Sequence, residues 1–543
     1  MPRCTAFYVG NTQTNIKNID YVNNNQDTST VAIFINQSGY DIGRSKRATV
    51  TNAKNGTTFY IKNTSDEIVY TGTIEFQIAD FTEFNVIGEY YLNVGSINSY
   101  NFKIDNNYIA TISQRPALDF MAQSRQDVFN TGGNTGYAWR DSHQFSFELH
   151  GLCMQYMSNP SYYEGLPYSI PEIDTCEYTE LQTQNEPDII WLMKFAATRY
   201  YKWYTDKGIN PHALIKCQLP YFLYLYPSIN NYVTEEFYTQ IRNFAIEVWG
   251  LTNCNKSWYE VDGGFDNDLY KTQSKIGTEK GQLPPGYAIM PNLLMYKIAV
   301  RDGLDAEVQT KFYNAFYNNC KWLIDNVDLD NPANSKGQRM SEYITMTGLT
   351  YAYETNPELC PPNTLEKIER MADVIISRSV NMWDFRQYST ERDITGSKTT
   401  QWTIGTLNEV GNIAGLPAIC FSIARVITDT NKKRRLKEIA MAHIDTVFGR
   451  NPYGRHYGYD APTEIEGVDL GWFKKYSGGF GDLGSCTGRL DGSPKEVAYP
   501  FDANSDYGYT EGWVAFNSAW NMTLAYLNGE NENITDGLDI FSK

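Results

Sequence analysis

Two carboxylic acids far apart in the sequence are candidates for acid–base chemistry, and each also has a purely structural interpretation. Glu511 lies in the first turn of a predicted helix, within "DANSDYGYTEGWVAFNSAW", directly after Thr510. Capping by Thr510 and the helix dipole would explain a glutamate there without any chemistry. An acid role requires a proton held near neutral pH, which burial or the negative charges of Asp502 and Asp506 would favour.

The second acid is Asp141, within "TGYAWRDSHQF". It is surrounded by Trp139, Arg140 and His143, an unusual concentration of polar groups beside an aromatic ring. In one interpretation Asp141 is a base and Trp139 is a platform for a sugar ring. In the other, Asp141 pairs with Arg140 and caps the following helix. Both interpretations remain open on these residues alone.

A metal or a cofactor has little support in the sequence. Asp262, Asp266 and Asp268 could bind a structural calcium ion through oxygen ligands. Their spacing departs from the EF-hand loop, so a solvated acidic turn is the alternative. The five histidines are dispersed, and the chain has no serine nucleophile elbow, P-loop, dinucleotide-binding glycine pattern or HExxH motif. We therefore expect no cofactor, a structural calcium ion being the one candidate.

Composition limits the ligand. The 543 residues carry a net charge of −17, which disfavours nucleic acid and anionic membranes because both need dense Lys and Arg. The chain has 41 Tyr and 11 Trp, and these residues form core contacts as well as the stacking surfaces that bind sugars. No apolar run is long enough to span a membrane. A neutral or cationic ligand is easiest to accommodate.

The order of elements predicts a mainly α protein. Residues 1–30 form a loosely structured lead-in, and short alternating runs from 31 to 106 predict a small β-sandwich. From 107 onward, apolar residues recur at helical spacing and predict helical hairpins closed into an (α/α)6 toroid. The predicted helices are 116–128, 145–157, 187–206, 212–226, 233–250, 287–302, 306–326, 339–354, 364–380, 408–427, 431–448 and 511–528. Long connections at 129–144, 251–286 and 449–510 are expected to form a cleft at one end of the ring.

Several stretches resemble glycoside hydrolase family 9, the inverting cellulases. "INQSGY", "RATV", "DFTEF", "GEYYLNV" and "YNFKI" resemble that family's small N-terminal immunoglobulin-like domain, and "FGRNPYGR" resembles its Gly-Arg-Asn-Pro turn near the cleft. Glu511, followed by Val514-Ala515 and Asn517, resembles the general-acid glutamate and the asparagine further along the same helix. The resemblance implies an immunoglobulin-like domain at 31–106 and a catalytic domain at 107–543.

The base region departs from that family. The usual Asp-Ala-Gly-Asp motif is missing, and "GYAWRDSHQF" stands in its place, so Asp141 matches the second aspartate only with a gap. The His-x-Arg sugar-contact motif after the Gly-Arg-Asn-Pro turn is also missing. The chain therefore resembles a divergent member in which Asp141 is the base, another carboxylate serves, or catalysis is lost.

The resemblance implies an inverting hydrolase of β-linked glucans or oligosaccharides, with Glu511 as acid and Asp141 as base. Trp139, Trp402 and Tyr509 would stack on sugar rings, and Arg140, His143 and Arg455 would bind hydroxyls. If the 449–510 loop lies over the cleft, His456 could face the same ligand as Arg455, Tyr509 and Glu511. The alternatives are a non-catalytic carbohydrate-binding protein on the same fold, or a lyase that uses Tyr509. The expected partner is an oligosaccharide or polysaccharide, with neither nucleic acid nor membrane.

The first residues and the cysteines bear on the cellular compartment. "MPRCTAFYVGNTQTNIKNID" lacks a basic start followed by an apolar block, so no secretory leader is expected in this chain. This favours the cytoplasm, with a secreted protein whose leader has been removed as the alternative. The nine cysteines are scattered and never form a CxxC pair, which predicts reduced, mostly buried thiols.

Overall fold

A computed structural model describes most of the chain. It covers residues 31–123, 147–168, 186–208, 210–252, 267–272, 284–330, 342–386, 414–451, 454, 456 and 514–543. The strands are β1 (Ala32–Phe34), β2 (Gly39–Asp41), β3 (Arg47–Thr51), β4 (Thr57–Asn63), β5 (Ile68–Glu75), β6 (Ile78–Asp80), β7 (Gly88–Val94), β8 (Ile97–Asn98) and β9 (Phe102–Asp105). The first helices are α1 (Tyr108–Gln123), α2 (Glu148–Ser158), α3 (Pro160–Gly165), α4 (Asp188–Lys207), α5 (Ala213–Lys216), α6 (Leu219–Ile229) and α7 (Glu235–Val248). The later helices are α8 (Ile289–Arg301), α9 (Ala306–Asn326), α10 (Tyr343–Thr355), α11 (Thr364–Arg378), α12 (Leu416–Val426), α13 (Thr430–Val447) and α14 (Val514–Gly529).

The nine strands form one continuously paired sheet around a closed core. Their order is β1-β3-β6-β5-β4-β7-β9-β2, with β8 paired to β7. The β2–β9 pair is parallel and the other pairs are antiparallel. Alternate residues such as Phe59 and Ile61 point inward and are fully buried, as expected for strands with one solvent-exposed face. The predicted β-domain is confirmed.

Each predicted helix has a counterpart in the described residues, and the predicted range 306–326 coincides with α9. One prediction was wrong about a start: it placed a helix at 116, whereas α1 begins at Tyr108. The carboxylate of Asp41, in β2, accepts a hydrogen bond from the backbone N of Ile109 at 2.9 Å. This cap comes from the sheet, 68 residues away, so the local sequence pattern does not reveal it.

The predicted helix 212–226 is interrupted at Gln218, between α5 and α6. The side-chain amide of Gln218 donates to the carbonyl of Leu214 at 2.9 Å, and its oxygen accepts from the backbone N of Leu149 at 3.0 Å. At this break, backbone hydrogen bonds of a continuous helix are replaced by a hydrogen bond between Gln218 and α2. Among the described residues, no helix is long and apolar enough to cross a membrane. Of the cysteines that the structure describes, Cys153, Cys217, Cys320 and Cys420 are buried free thiols and Cys360 is a partly exposed one.

The chain divides into two compact units. Unit 1 comprises Met1–Pro116 and Glu369–Gly512, and unit 2 comprises Ala117–Ile368 and Trp513–Lys543. Unit 1 therefore combines the β-domain with α12 and α13, and unit 2 contains α2 to α10 together with α14. Each unit is built from two separate stretches of sequence.

A buried ion cluster joins the β-domain to the helical part of unit 1. Asp384 is 1% exposed and pairs with Arg435 at 2.8 Å, Arg450 at 3.0 Å and Arg47 at 3.4 Å. Burial opposes the charge of Asp384, but the three guanidinium groups outweigh it and hold the pKa of this carboxyl well below its usual range. Arg47 also contacts Glu438 at 3.2 Å. These residues hold β3 against α13 through paired charges.

Two of the stretches that resemble family 9 contact each other inside unit 1. The backbone N of Gln37, in "INQSGY", donates to the carbonyl of Phe448, in "FGRNPYGR", at 2.8 Å, and its side chain donates to the carbonyl of Gly454 at 2.6 Å. Gly449 has a φ of +119°, and a Cβ there would lie 2.5 Å from Cδ of Gln37. The fully buried side chain of Arg450 donates to the hydroxyl of Thr49 at 3.2 Å. The described part of this turn is therefore a structural joint.

Candidate active site

Helices α2 and α14 are adjacent in unit 2 and run parallel. A Cβ added to Gly151, near the start of α2, would lie 3.2 Å from both the carbonyl of Ser518 and Cβ of Asn521, near the start of α14. At the other end, the amide of Asn528 donates to the hydroxyl of Ser158 at 3.1 Å. The amino ends of the two helices are therefore on the same side of unit 2.

Other helices of unit 2 share this direction. The rings of Phe147 and Tyr343, at the starts of α2 and α10, have centroids 6.4 Å apart. Met290 lies against Gly348 near the starts of α8 and α10, and Lys297 donates to the hydroxyl of Tyr351 further along both helices at 2.9 Å. With Gln218 bound to the start of α2, the amino ends of α2, α6, α8, α10 and α14 gather at one end, called here the amino end.

The opposite end of these helices is covered by the C-terminal residues. The backbone N of Leu538 donates to the carbonyl of Met157 at 2.8 Å, and Phe541 packs on Tyr526 with ring centroids 5.4 Å apart. Burial raises the pKa of Asp539, while hydrogen bonds from Tyr351 and Tyr224 and the charge of Lys297 oppose that rise. The C-terminal residues therefore pack against the carboxyl ends of α2 and α14.

The amino end contains buried polar groups. Glu148, 1% exposed, accepts a hydrogen bond from the hydroxyl of Tyr200 at 2.6 Å. Neither ring nitrogen of His150 has a hydrogen-bond partner in the described part of the chain, and the ring lies 4.1 Å from that of Tyr221. Burial lowers the pKa of His150 to about 3, so its imidazole is neutral at ordinary pH. Burial, followed by the charge of Glu148, raises the pKa of Tyr343.

The buried polar groups at the amino end include two carboxyl groups and one imidazole. Glu148 and Glu342 are buried carboxyl groups at the starts of α2 and α10. His150 can donate one hydrogen bond and accept another. These residues are not apparent from the sequence, because each lies within or beside a predicted helix whose pattern is typical of an apolar core. The available signal was the pairing of a glutamate and a histidine in the first turn of such a helix.

The candidate site residues of the sequence analysis lie outside the described residues. They are Asp141, Trp139, Arg140, His143, Trp402, Arg455, Tyr509 and Glu511. In sequence, Asp141 stands seven residues before Glu148, where α2 begins, and Glu511 stands three residues before Val514, where α14 begins. The chain therefore enters two adjacent parallel helices soon after each proposed catalytic residue.

His456, which could face a ligand if its loop lay over the cleft, is instead packed inside unit 1. It is 5% exposed, its Nε2 lies 3.0 Å from the hydroxyl of Ser38, and its ring packs on Phe448. Burial lowers its pKa to about 4. His456 therefore belongs to the joint within unit 1. For the calcium prediction, Asp268 accepts from the backbone N of Tyr270 at 3.0 Å, while Asp262 and Asp266 lie outside the described residues.

Comparisons with known proteins agree with this architecture. Residues 28–99 match the family model for the cellulase N-terminal ig-like domain. Among curated proteins, none matches this chain. A metagenome-derived glycoside hydrolase family 9 endoglucanase is similar in structure, with a TM-score of 0.56 and 12% identity over 92% of this chain and 99% of that chain.

Two further solved structures show the same likeness. AaCel9A in complex with cellobiose-like isofagomine has a TM-score of 0.57 and 13% identity, covering 92% of this chain and 99% of that chain. A family 9 glycoside hydrolase of Bacteroides ovatus has a TM-score of 0.55 and 12% identity, covering 92% of this chain and 98% of that chain. At these identities the likeness establishes the fold. The chain thus combines the N-terminal immunoglobulin-like domain of cellulases with the (α/α)6 fold of glycoside hydrolase family 9.

Proposed function

We propose that the protein is an inverting glycoside hydrolase that cleaves β-linked glucans or oligosaccharides. The observation that carries the proposal is the parallel pairing of α2 and α14, whose amino ends directly follow the segments containing Asp141 and Glu511. Inversion needs an acid and a base whose carboxyl groups are about 6.5–9.5 Å apart, with a water molecule between the base and the sugar. Two adjacent parallel helices can supply such a pair from their amino ends.

In the proposed mechanism, protonated Glu511 donates its proton to the glycosidic oxygen as the bond to the anomeric carbon breaks. Asp141 removes a proton from the water that attacks the opposite face of the sugar, so the product has the inverted configuration. Trp139, Trp402 and Tyr509 stack on sugar rings. Arg140, His143 and Arg455 bind hydroxyl groups. No cofactor is required, and a calcium ion at Asp262, Asp266 and Asp268 would be structural.

The relatives named above support a carbohydrate substrate, since one of those structures holds a cellobiose-like isofagomine. The altered "GYAWRDSHQF" region favours a short oligosaccharide over crystalline cellulose. The same alteration favours one alternative, a carbohydrate-binding protein without hydrolytic activity. The missing paired aspartates are the specific observation behind that alternative.

The test uses a panel of β-linked oligosaccharides, with the product anomer followed by proton NMR. Wild-type protein is expected to release the α-anomer first. Glu511→Gln is expected to lower kcat by about 10²–10⁴-fold, because general acid catalysis contributes that much. Asp141→Asn is expected to lower it comparably.

Thr510→Ala is the matched control for a purely capping role of Glu511. It is expected to lower the urea midpoint of unfolding and to leave kcat near that of the wild type. An unchanged kcat in Glu511→Gln would remove the acid assignment. Saturable binding of the oligosaccharides without any turnover by the wild type would favour the alternative.

A further inference from the structure

A polar cavity of about 490 Å³ lies beside the carboxyl-terminal half of α9 in unit 2. Its walls come from residues 270–272 and from the face of α9 that carries Asn318, Asn319 and Trp322. The volume falls within the range of about 300–1,000 Å³ that is usual for small-molecule sites. The cavity is therefore large enough to hold a ligand of sugar size.

The cavity lies close to the amino end. A Cβ on Gly286 would lie 3.1 Å from Cδ1 of Leu323 in α9 and 2.8 Å from Cγ2 of Thr345 in α10. The last turns of α9 are therefore beside the starts of α8 and α10. The cavity opens beside α9, where Asn318 and Lys321 are exposed.

Asn319 provides a buried acceptor in the cavity wall. Its side chain is buried, and its amide nitrogen donates to the carbonyl of Ala315 at 2.8 Å. Its oxygen Oδ1 has no hydrogen-bond partner within the part of the chain that the structure describes. A buried acceptor is unfavourable unless something donates to it, so a ligand hydroxyl or a water is expected there.

The aromatic residues of the cavity have different roles. Trp322 is half-buried and lines the cavity with an indole ring. Tyr270 packs on Phe312 with ring centroids 5.4 Å apart, and Nζ of Lys311 lies 4.1 Å from the Tyr270 ring centroid. Burial and the charge of Asp268 raise the pKa of Tyr270 to about 12, so its hydroxyl stays protonated. Trp322 is thus the candidate stacking surface, since the Tyr270 ring is already in contact with Phe312 and Lys311.

The lysines around the cavity are each paired with a carboxylate of opposite charge. Lys321 pairs with Asp325 at 2.6 Å, and Lys271 pairs with Asp268 at 3.4 Å. Each lysine that lines the cavity therefore has a carboxylate beside it. Such an arrangement does not favour a phosphate or a carboxylate ligand, and it accommodates a neutral polar one.

We propose that this cavity binds one unit of a neutral sugar, with its ring stacked on Trp322 and a hydroxyl donating to Oδ1 of Asn319. An aromatic face beside fixed polar groups is the arrangement that recognises sugars, which have both apolar faces and hydroxyl edges. This site would hold a saccharide beside α9, next to the amino end. The inference does not rest on the proposed hydrolytic activity.

The experiment follows Trp322 in the full chain labelled with 5-fluorotryptophan, by ¹⁹F NMR. Trp322→Phe assigns the resonance. Cellotetraose, laminaritetraose and xylotetraose are titrated separately, in a Glu511→Gln background so that no substrate is consumed. At least one of them is expected to shift the Trp322 resonance saturably.

Asn319→Leu is expected to weaken that binding about tenfold, equivalent to about 1.4 kcal/mol. Asn314→Leu, at an exposed asparagine on the same helix outside the cavity wall, is the matched control and should leave it unchanged. If Asn319→Leu lowers the urea midpoint, Asn318→Trp replaces it, because this exposed position allows the cavity to be filled from outside.

Two results would overturn the proposal: no shift with any of the three sugars, or a shift that neither variant weakens. Because the readout is binding at Trp322, it is independent of hydrolysis. A protein that fails the kinetic test for Glu511 can still pass this one, and the reverse is equally possible.

Discussion

Asp445 makes the stability of unit 1 depend on pH. It lies near the end of α13, is 1% exposed, and accepts a hydrogen bond from the amide of Asn36 at 2.9 Å. Burial raises its pKa from 3.8 to about 7, although Arg450 and the bond from Asn36 favour the charged form. The other ionisable groups that act on it or respond to it are Tyr40, Asp41, Lys46 and Asp384.

The size of the pH-dependent change in the free energy of unfolding follows from that pKa. The folded protein binds the Asp445 proton more tightly than the unfolded chain, so folding is favoured at low pH and this advantage is lost as the pH rises from about 4 to about 7. At about 1.4 kcal/mol per pKa unit, the ionised carboxylate costs unit 1 roughly 4 kcal/mol above pH 7.

Asp445→Asn removes the ionisation and keeps an oxygen for the bond from Asn36. The free energy of unfolding of the wild type, from urea unfolding, is expected to fall between pH 5 and pH 8, whereas that of the variant should fall much less. At pH 8 the variant is expected to be the more stable by up to roughly 4 kcal/mol. The buried imidazoles of His150, His443 and His456 have pKa values of about 3, 3 and 4, so they do not ionise in this window.

Two results would refute this role of Asp445. Equal pH dependence in the wild type and in Asp445→Asn would show that the carboxyl does not retain its proton in the folded state. A variant less stable than the wild type at pH 8 would show that the negative charge is favourable, as it is for Asp384. A ¹³C titration of the Asp445 carboxyl would separate these two cases.

Three further substitutions test the packing. Asp384→Asn should lower the free energy of unfolding by about 3–5 kcal/mol from pH 5 to 8, since it leaves fully buried Arg450 and partly buried Arg47 and Arg435 without their shared carboxylate; a loss below 1 kcal/mol would contradict this. Gly348→Ala should cost about 1–3 kcal/mol, because its Cβ would lie 2.9 Å from Cβ of Met290, whereas Gly165→Ala, with open space around it, should cost nothing. Phe541→Ala should cost about 3–5 kcal/mol in thermal or urea unfolding, since the fully buried ring packs on Tyr526, and an unchanged midpoint would mean that the C-terminal residues do not close unit 2.

The fold could be predicted from the sequence wherever local patterns decide the structure. Helix α9 has apolar residues at helical spacing and coincides with the range predicted for it. The start of α1 could not be predicted, because its cap is Asp41 in the sheet. Likewise, the break at Gln218 depends on a contact with Leu149, which lies 69 residues earlier. Both the start of α1 and the break at Gln218 therefore depend on residues that are distant in the sequence.

The candidate site was less predictable than the fold. Glu511 and Asp141 were selected from sequence context, and their roles stay predictions because both lie outside the described residues. The buried groups Glu148 and His150 were not selected, since helical periodicity marks which face is buried and not which buried residues are polar. The contact between His456 and Ser38 could not be predicted either, because the two residues are 418 positions apart in the sequence.

The division of unit 2 into two stretches has a consequence for its synthesis. Helix α2 packs along α14, and the bond between Ser158 and Asn528 joins residues 370 positions apart. At about 5–20 residues per second, the ribosome needs roughly 20 to 75 s to add those residues. During that time the nascent chain presents the apolar face of α2 without its permanent neighbour. Production of soluble protein should therefore depend on chaperones that hold the early helices until residues 514–541 have been translated.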